Sequence, residues 1–565
     1  MSSPQLPPDL AQQIYDGYQF QLRGRYEEAA NCYRRVLRRL PKHADVMHLL
    51  AMVRARQGRT DEALALYGDA AALKPQDAKL WHNYGLALGG VERNAEAAAA
   101  FARALSLDPS LPEGLGMLFS ARRAVCDWRD DDALRAGLAR AGTPGQPEVP
   151  AFFTLWLDDP DVQLRAARQV VARRCAGITP RPLPAGRAPG RLRIGYVSAD
   201  FRRHPTTHLL ARLLELHDRE RFEITAFSIG PDDGSDYRKR IERSVDRFVD
   251  CAADPTPEAT AGRARALNID VLVDLMGHTD GNRIEVFAHR GAPVQAAFLG
   301  YPGTTGAPFM DYVIADPAVL PLAEARTFAE KVAQLPDAYQ PNDPTLAPGP
   351  RPTRADCGLP EEGVVFCAFN NLRKVDPDTF AIWMRLLSAV PGSVLWLIAG
   401  DAARANLVRE AEARGIGAER LVFAPPLPLE EHLARLALAD LFLDTFPYTA
   451  HTTASDALRM GVPLVTRTGR TFASRVAASL LHQVGLDDLV TADLRAFEAK
   501  AVALARDPAA LGAAKARLDA ARATSPLYDT ARFARHMEAA CETMVARFRA
   551  GLPPDAFAVE ALPRG

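Results

Sequence analysis

The side chains with the greatest chemical capacity stand where short apolar runs end. The densest group is Leu443-Asp-Thr-Phe-Pro-Tyr-Thr-Ala-His-Thr-Thr-Ala-Ser-Asp456. Its pattern predicts a strand that ends, a loop that turns and a helix that starts near Thr452. Free N–H groups and about half a positive charge at such a terminus suit an anion, and the Thr452 and Thr453 hydroxyls after His451 add donors. Asp456, one turn into the helix, can accept from a ribose hydroxyl or order the loop. The plainer role for Thr452 or Thr453 is that of an N-cap. Phe369-Asn-Asn-Leu-Arg-Lys-Val-Asp-Pro377 follows another apolar run. It sets Lys374 at a strand's carboxyl end, where an ammonium neutralises phosphate; a solvated surface lysine is the ordinary alternative.

In Ser198-Ala-Asp-Phe-Arg-Arg-His-Pro-Thr-Thr-His208 the histidines His204 and His208 are four apart, a spacing that can hold a metal on a helix. Neither a third ligand nor a glutamate stands where the zinc motifs place one, so no metal site is expected. A single His204 at a strand end suits proton transfer, because an unperturbed imidazole titrates near neutrality; capping or packing is the alternative. Leu299-Gly-Tyr-Pro-Gly-Thr-Thr-Gly306 ends a further run with glycines, which let backbone N–H groups approach a ligand. His432 and Arg435 lie one helical turn apart. There an imidazole can stack on a base while a guanidinium reaches phosphate or ribose, unless both belong to a solvated helix face.

Elements must hold these groups, and 565 residues imply several domains. Hydrophobic residues at 48% and charged residues at 24% exclude wholesale disorder. With 68 Lys and Arg against 69 Asp and Glu, no charge excess draws the chain to nucleic acid or an anionic membrane, and neither is an expected partner. Seven cysteines, none closer than ten residues to the next, form neither a zinc knuckle nor a disulfide framework. No basic region and apolar run open the sequence and no window spans a bilayer, so a cytoplasmic location is expected.

Pro41, Pro75 and Pro109 recur every 34 residues, as do Ala29, Ala63 and Ala97, Tyr33, Tyr67 and Phe101, and Gly17, Ala51 and Gly85. That period is the signature of tetratricopeptide repeats, whose stacked units present a concave face for an extended peptide. The predicted order is a repeat solenoid over 1–120, a helical adaptor and Pro/Gly linker over 121–190, an α/β half over 191–345, a second over 350–530, and a helix with tail over 531–565. Four prolines and three glycines in residues 177–190 mark the linker. Strands are expected at 191–197, 222–227, 269–273 and 294–299, then at 364–366, 394–398, 421–423, 441–443 and 462–465. Strands alternating with helices argue for two doubly wound parallel sheets, with a nucleotide cleft at the carboxyl ends of their strands.

Taken together, these segments resemble the tetratricopeptide-containing O-GlcNAc transferases, over nearly the whole chain to about residue 550. The specific pieces are His204-Pro-Thr-Thr-His208, residues 299–306, Phe309-Met-Asp-Tyr312, the Leu-Arg-Lys374 segment, His451-Thr-Thr453 with Asp456, and Ala473-Ser-Arg-Val-Ala-Ala478. The resemblance implies a multidomain fold, an α-helical tetratricopeptide solenoid followed by two Rossmann-like α/β domains in a GT-B arrangement, and a bacterial member with a short array. It implies inverting, metal-independent transfer of N-acetylglucosamine from UDP-GlcNAc to Ser or Thr of proteins held by the repeats, with no cofactor. Residue by residue, it matches His204 to the reacting centre and Lys374 to the phosphates of the leaving UDP. His451, Thr452 and Thr453 match the pyrophosphate loop and Asp456 the ribose carboxylate. His432 and Arg435 match the flanks of the uracil, the Leu427 backbone its edge, and Leu299 and Gly300 the loop beside the sugar. Asn371 and Leu429 replace the family's glutamine and lysine near the donor, and the region aligned near Ala261 lacks the aspartate invoked as base in animal members. Two rivals remain: transfer of fucose from GDP-fucose, suggested by Gly277-His-Thr279, and a repeat scaffold that binds nucleotide without turnover.

Overall fold

The computed structural model describes residues 6–183 and 190–563, so residues 184–189 of the expected linker lie outside the described residues. The chain divides into two compact units, Met1–Leu138 with Gly145–Val149, and Ala139–Pro144 with Pro150–Gly565.

The first unit opens with six helices, α1 (Pro8–Leu22), α2 (Tyr26–Arg39), α3 (Ala44–Arg56), α4 (Thr60–Leu73), α5 (Ala78–Gly89) and α6 (Asn94–Leu107). The 34-residue register has a packing cause. Ala29, Ala63 and Ala97 are fully buried and Tyr33, Tyr67 and Phe101 nearly so. Position 17 must be small, because a Cβ there would come within 2.6 Å of the Tyr33 ring. Each such aromatic contributes roughly 1.5–3 kcal/mol of burial. His43 and Asp77, also 34 residues apart, cap α3 and α5 by accepting from the Val46 and Leu80 amides. Helices α7 (Gly114–Ala124) and α8 (Asp131–Leu138) follow without the period, joined by the buried Arg123–Asp131 ion pair at 2.7 Å. The compact unit therefore runs past residue 120.

From Pro150 the second unit continues with a 3₁₀ turn, Ala151–Trp156, and a helix, Pro160–Arg174, capped by Asp159. Two parallel sheets follow. The first contains β1 (Leu192–Ser198), β2 (Phe222–Ser228), β3 (Arg247–Asp250), β4 (Val271–Asp274), β5 (Val294–Ala297), β6 (Tyr312–Ala315) and β7 (Lys331–Gln334). The second contains β8 (Val365–Ala368), β9 (Val394–Ile398), β10 (Leu421–Ala424), β11 (Leu441–Leu443), β12 (Leu464–Arg467) and β13 (Val490–Thr491). β14 (Phe557–Ala558) returns to pair with β7, so the first sheet runs β3-β2-β1-β4-β5-β6-β7-β14 and the second β10-β9-β8-β11-β12-β13. Within each half this is the strand order 3-2-1-4-5-6 of a doubly wound nucleotide-binding sheet. Continuous apolar runs fit it, since parallel strands are covered on both faces; β4 and β8 are buried at every position. In register, Ile194 pairs with Ile224 on one side and Val271 on the other, while Phe366 pairs with Leu395 and Leu441.

Helix Thr530–Arg549 of the carboxyl-terminal segment packs onto the first half, where Glu538 accepts from His217 Nδ1 at 3.1 Å and the Asp218 amide at 2.8 Å. The two halves are tied directly by Arg475–Glu324 at 2.9 Å and by Ser479 donating to Asp316 at 2.7 Å. No described helix is long and apolar enough to cross a membrane.

Candidate functional site

In each sheet the connections diverge between the first and fourth strands of the half, β1 and β4 or β8 and β11, and loops leaving these carboxyl ends open a crevice. Asp200 and His204 follow β1, and Gly277 and His278 follow β4. Asn370 to Lys374 follow β8, and Asp444 to Asp456 follow β11. The strand order thus gathers most of the chemically capable segments, which sequence separation conceals.

Lys374 closes a short 3₁₀ turn, Leu372–Lys374, whose N-cap is Asn371. Its Nζ donates to the Thr449 carbonyl at 2.8 Å and lies 3.9 Å from the centre of the Tyr448 ring. Burial pushes this ammonium down to about 8, with the Asp444 carboxylate pulling the other way. Asp444 is itself buried and lifted to about 6 by burial, while it accepts from Thr466 Oγ1 at 2.6 Å and from the Ala450 and Thr445 amides at 2.6 and 2.7 Å. That web fixes the loop carrying Tyr448 to His451.

Helix Thr452–Arg459 begins where the sequence predicts. The Ala454 and Ser455 amides turn back to the His451 carbonyl at 3.0 and 3.1 Å, and the Thr452 and Thr453 amides have no acceptor among the described residues. His451 Nε2 donates to the Ala473 carbonyl at 3.2 Å, and burial with the neighbouring Lys374 cation keeps the ring neutral. The Thr453 hydroxyl donates to Asn370 Oδ1 at 2.6 Å, so it is oriented by a neighbour as well as standing at the helix start. The Asp456 carboxyl group makes no hydrogen bond or ion pair among the described residues, and burial lifts it to about 7. A donor hydroxyl from outside would relieve that penalty.

Beside Lys374, Phe369 at the end of β8 forms a platform for His432 (ring centres 5.3 Å apart) and Arg435 (guanidinium 5.2 Å from its centre). Arg435 is 2% exposed, and its Nη1 and Nη2 donate to the Pro425 carbonyl at 2.5 Å and to His432 Nδ1 at 3.0 Å. It braces His432 from beneath and is not a free cation over the crevice. With Nδ1 accepting, the neutral His432 ring carries its proton on Nε2. Leu427 is exposed in the loop before helix Leu429–Leu436. Asn371 turns its side chain to the Arg373 amide at 3.0 Å.

In the first half, His204 is the N-cap of helix Pro205–Leu216, its Nδ1 accepting from the Thr206 amide at 3.3 Å. Burial pushes it down to about 4, so the ring is neutral near pH 7 with its proton on Nε2. Capping and presentation at the crevice are therefore combined in one residue. His208 lies against Tyr237 at 4.4 Å, away from any third ligand, and no group of three His, Cys, Asp or Glu side chains suited to a metal occurs among the described residues. Asp200 Oδ2 stands 3.4 Å from His204 Nδ1, so a carboxylate accompanies this histidine. Leu299 has a positive φ of 67°, and a Cβ on Gly300 would lie 1.9 Å from the Leu275 carbonyl. That loop is pinned by buried Glu330, which accepts from Thr304 Oγ1 and the Thr305 amide at 2.7 Å each.

Asn370, Asp444 and Tyr448 take roles in the site that the local sequence pattern does not announce. Each lies inside a segment quoted for other residues, and an acid directly after a strand at the divergence point was the available signal for Asp444.

Comparison with known proteins agrees with this layout. A model of glycosyl transferase family 41 matches residues 181–345 and 351–537, and tetratricopeptide models match 23–78 and 78–111. The chain is 35% identical to a probable UDP-N-acetylglucosamine–peptide N-acetylglucosaminyltransferase, SEC, of Arabidopsis thaliana over 78% of this chain and 48% of the relative. It is 30% identical to a UDP-N-acetylglucosamine–peptide N-acetylglucosaminyltransferase of Caenorhabditis elegans over 65% of this chain and 42% of that one. The chain thus spans about half the length of the curated relatives it matches. Among solved structures, an O-GlcNAc transferase variant from Thermobaculum terrenum superposes with a TM-score of 0.71 at 28% identity, covering 97% of this chain and all of that one.

Proposed function

The chain belongs to glycosyl transferase family 41, and on that footing we propose that it moves N-acetylglucosamine from UDP-GlcNAc to Ser or Thr hydroxyls of proteins, with inversion and without a metal. The observation that carries the reading is the half-buried Lys374 ammonium beside the open amino terminus of helix Thr452–Arg459, at the divergence point of the second sheet. In this reading the Thr452 and Thr453 amides and Lys374 take the diphosphate, Asp456 the ribose, and the His432–Phe369 platform with the Leu427 backbone the uracil.

A serine or threonine hydroxyl is a weak nucleophile, so the leaving group must be strongly stabilised. As the acceptor oxygen bonds to the anomeric carbon, the bond to the β-phosphate oxygen breaks, the electron pair stays on that oxygen as negative charge, and the hydroxyl proton passes to solvent. Lys374, held on the Thr449 carbonyl, and the helix terminus are fixed before the reaction, the condition under which such stabilisation is largest. His204, with its proton on Nε2, serves as a hydrogen-bond donor from the first half. The tetratricopeptide unit presents the acceptor polypeptide, and the protein works in the cytoplasm.

Calorimetry tests the donor. UDP is expected to bind in the presence of a chelator and GDP at least about tenfold more weakly. GDP preference would transfer the reading to a fucosyl donor, and absence of any nucleotide binding would overturn it.

A further inference from the structure

The loop that carries the donor contacts is held from outside the two α/β halves. Residues 151–158 precede residue 181, where the family model starts, yet they reach the Lys374 environment by two routes. The Asp158 carboxylate Oδ1 accepts from the Arg470 amide at 2.7 Å, the Thr471 amide at 3.2 Å and Ser474 Oγ at 3.1 Å. The loop approaches so closely that a Cβ on Gly469 would stand 2.6 Å from that oxygen. Within the same loop, the Ala473 carbonyl accepts from His451 Nε2 at 3.2 Å, Thr449 Oγ1 at 2.7 Å and the Thr449 amide at 3.1 Å. The Thr449 carbonyl in turn accepts from Lys374.

The second route is aromatic. Tyr448, whose ring carries the Lys374 ammonium, packs against Trp156 at 5.9 Å and Phe152 at 6.4 Å, both in edge-on geometry. Phe152 also meets Tyr301 of the 299–306 loop at 6.5 Å, and Leu155, Tyr301 and Ala473 share one buried cluster. One short turn therefore touches the sugar-side loop of the first half and the phosphate-side loop of the second.

We infer that residues 151–158 form a third wall of the donor site, with Asp158 and Trp156 as positioning residues that set His451 and Lys374. The inference rests on the donor reading above. Asp158 fixes the aim of the Ala473 carbonyl, and that carbonyl selects the His451 tautomer and holds the Thr449 backbone to which Lys374 is anchored.

The test uses the full chain. Asp158→Ala is expected to weaken UDP binding about tenfold and to lower kcat by ~10–100-fold, the scale on which small misplacements of reacting groups act. Asp158→Asn, which keeps the Oδ1 acceptor, is expected to recover most of both. In nucleotide-free protein, nitrogen NMR of His451 should show the Nε2–H tautomer in the wild type and a mixture in Asp158→Ala. Wild-type UDP affinity, kcat and His451 spectrum in a folded Asp158→Ala variant would overturn the inference, as would equal losses in Asp158→Asn. Should the wild type itself not bind UDP, the donor reading falls, and the His451 spectrum alone decides: a shifted tautomer in Asp158→Ala sustains the positioning role, an unchanged one ends it. If Asp158→Ala does not fold, Ser474→Ala removes one of the three contacts. A loss of about threefold in UDP affinity is then expected, and no change in affinity or in the His451 spectrum contradicts the wall.

Discussion

Replacing Lys374 by alanine tests the proposed chemistry at its most exposed point. The ammonium is anchored 2.8 Å from the Thr449 carbonyl and 3.9 Å from the Tyr448 ring centre, with the neighbouring helix terminus already available to diphosphate. Two unit charges about 4 Å apart at an effective permittivity of about 20 interact by ~4 kcal/mol. Part of that attraction is present in the ground state, but charge added to the β-phosphate as the sugar leaves is felt only in the transition state. Loss of such a preorganised contact costs about 3–4 kcal/mol, or ~10²–10³ in turnover. Lys374→Ala should therefore lose most transfer of radiolabelled sugar while its UDP affinity, measured by calorimetry, stays within about tenfold. The pH dependence carries a second signature. With the free-enzyme ammonium pushed down to about 8, protonation is lost as pH rises through that value, so kcat/KM should fall above it. A bound diphosphate favours the ammonium, which moves the fall in kcat to higher pH. Lys374→Arg should be partly active and lack this alkaline limb, since a guanidinium does not titrate there and its planar fork does not reproduce a point charge. Near-wild-type turnover in Lys374→Ala, or an unchanged alkaline limb in Lys374→Arg, would remove Lys374 from the chemistry.

Other perturbations separate the parts of the site. His204→Ala should lower transfer by ~10²-fold with UDP affinity unchanged, and His204→Gln, which keeps a donor, should recover part of it; because burial holds His204 near 4, neither should alter the shape of the profile from pH 6 to 9, and a lost limb in that range would contradict the neutral-donor assignment. For Asp456, the folded carboxyl is raised to about 7, so between its ordinary value and 7 the folded state holds more protons than the unfolded chain and stability falls as pH rises. Asp456→Asn should accordingly melt higher than wild type at pH 8 and alike at pH 4, while binding UDP more weakly; equal melting at both pH values would show that the carboxyl is not strained. Tyr18 and Leu86 occupy the same register 68 residues apart and are 45% and 41% exposed. Replacing both by serine should raise KM for protein acceptors several-fold without changing UDP affinity, and unchanged acceptor kinetics would place acceptor recognition elsewhere.

The sequence was informative wherever one physical rule acted alone. Repeats were legible because Gly17 against Tyr33 and its 34-residue echoes admit few residue types. Central strands such as β1, β4 and β8 announced themselves as apolar runs bounded by turn residues. β3, with its exposed ends, and the two-residue β13 and β14 carry too little hydrophobic signal to be read, the short buried runs of β6 and β7 also lie outside the expected strands, and β14 exists only because the tail returns to β7. At the site, strand ends located Lys374 and the Thr452 helix start, since both follow from local pattern. The fate of each hydrogen bond did not: Arg435 looked like a free cation until the fold placed Pro425 and His432 around it. The role of Asp158 was equally hidden, because its partners lie more than 300 residues further along the chain.

Sugar transfer itself can be read from a single reaction. The full chain, incubated with UDP-GlcNAc and a library of Ser- and Thr-containing peptides in the presence of a chelator, should release UDP and yield peptides heavier by one N-acetylhexosamine, joined through the hydroxyl in inverted configuration. Peptides that stay unmodified while UDP binds would rule out transfer and leave a nucleotide-binding repeat scaffold in its place.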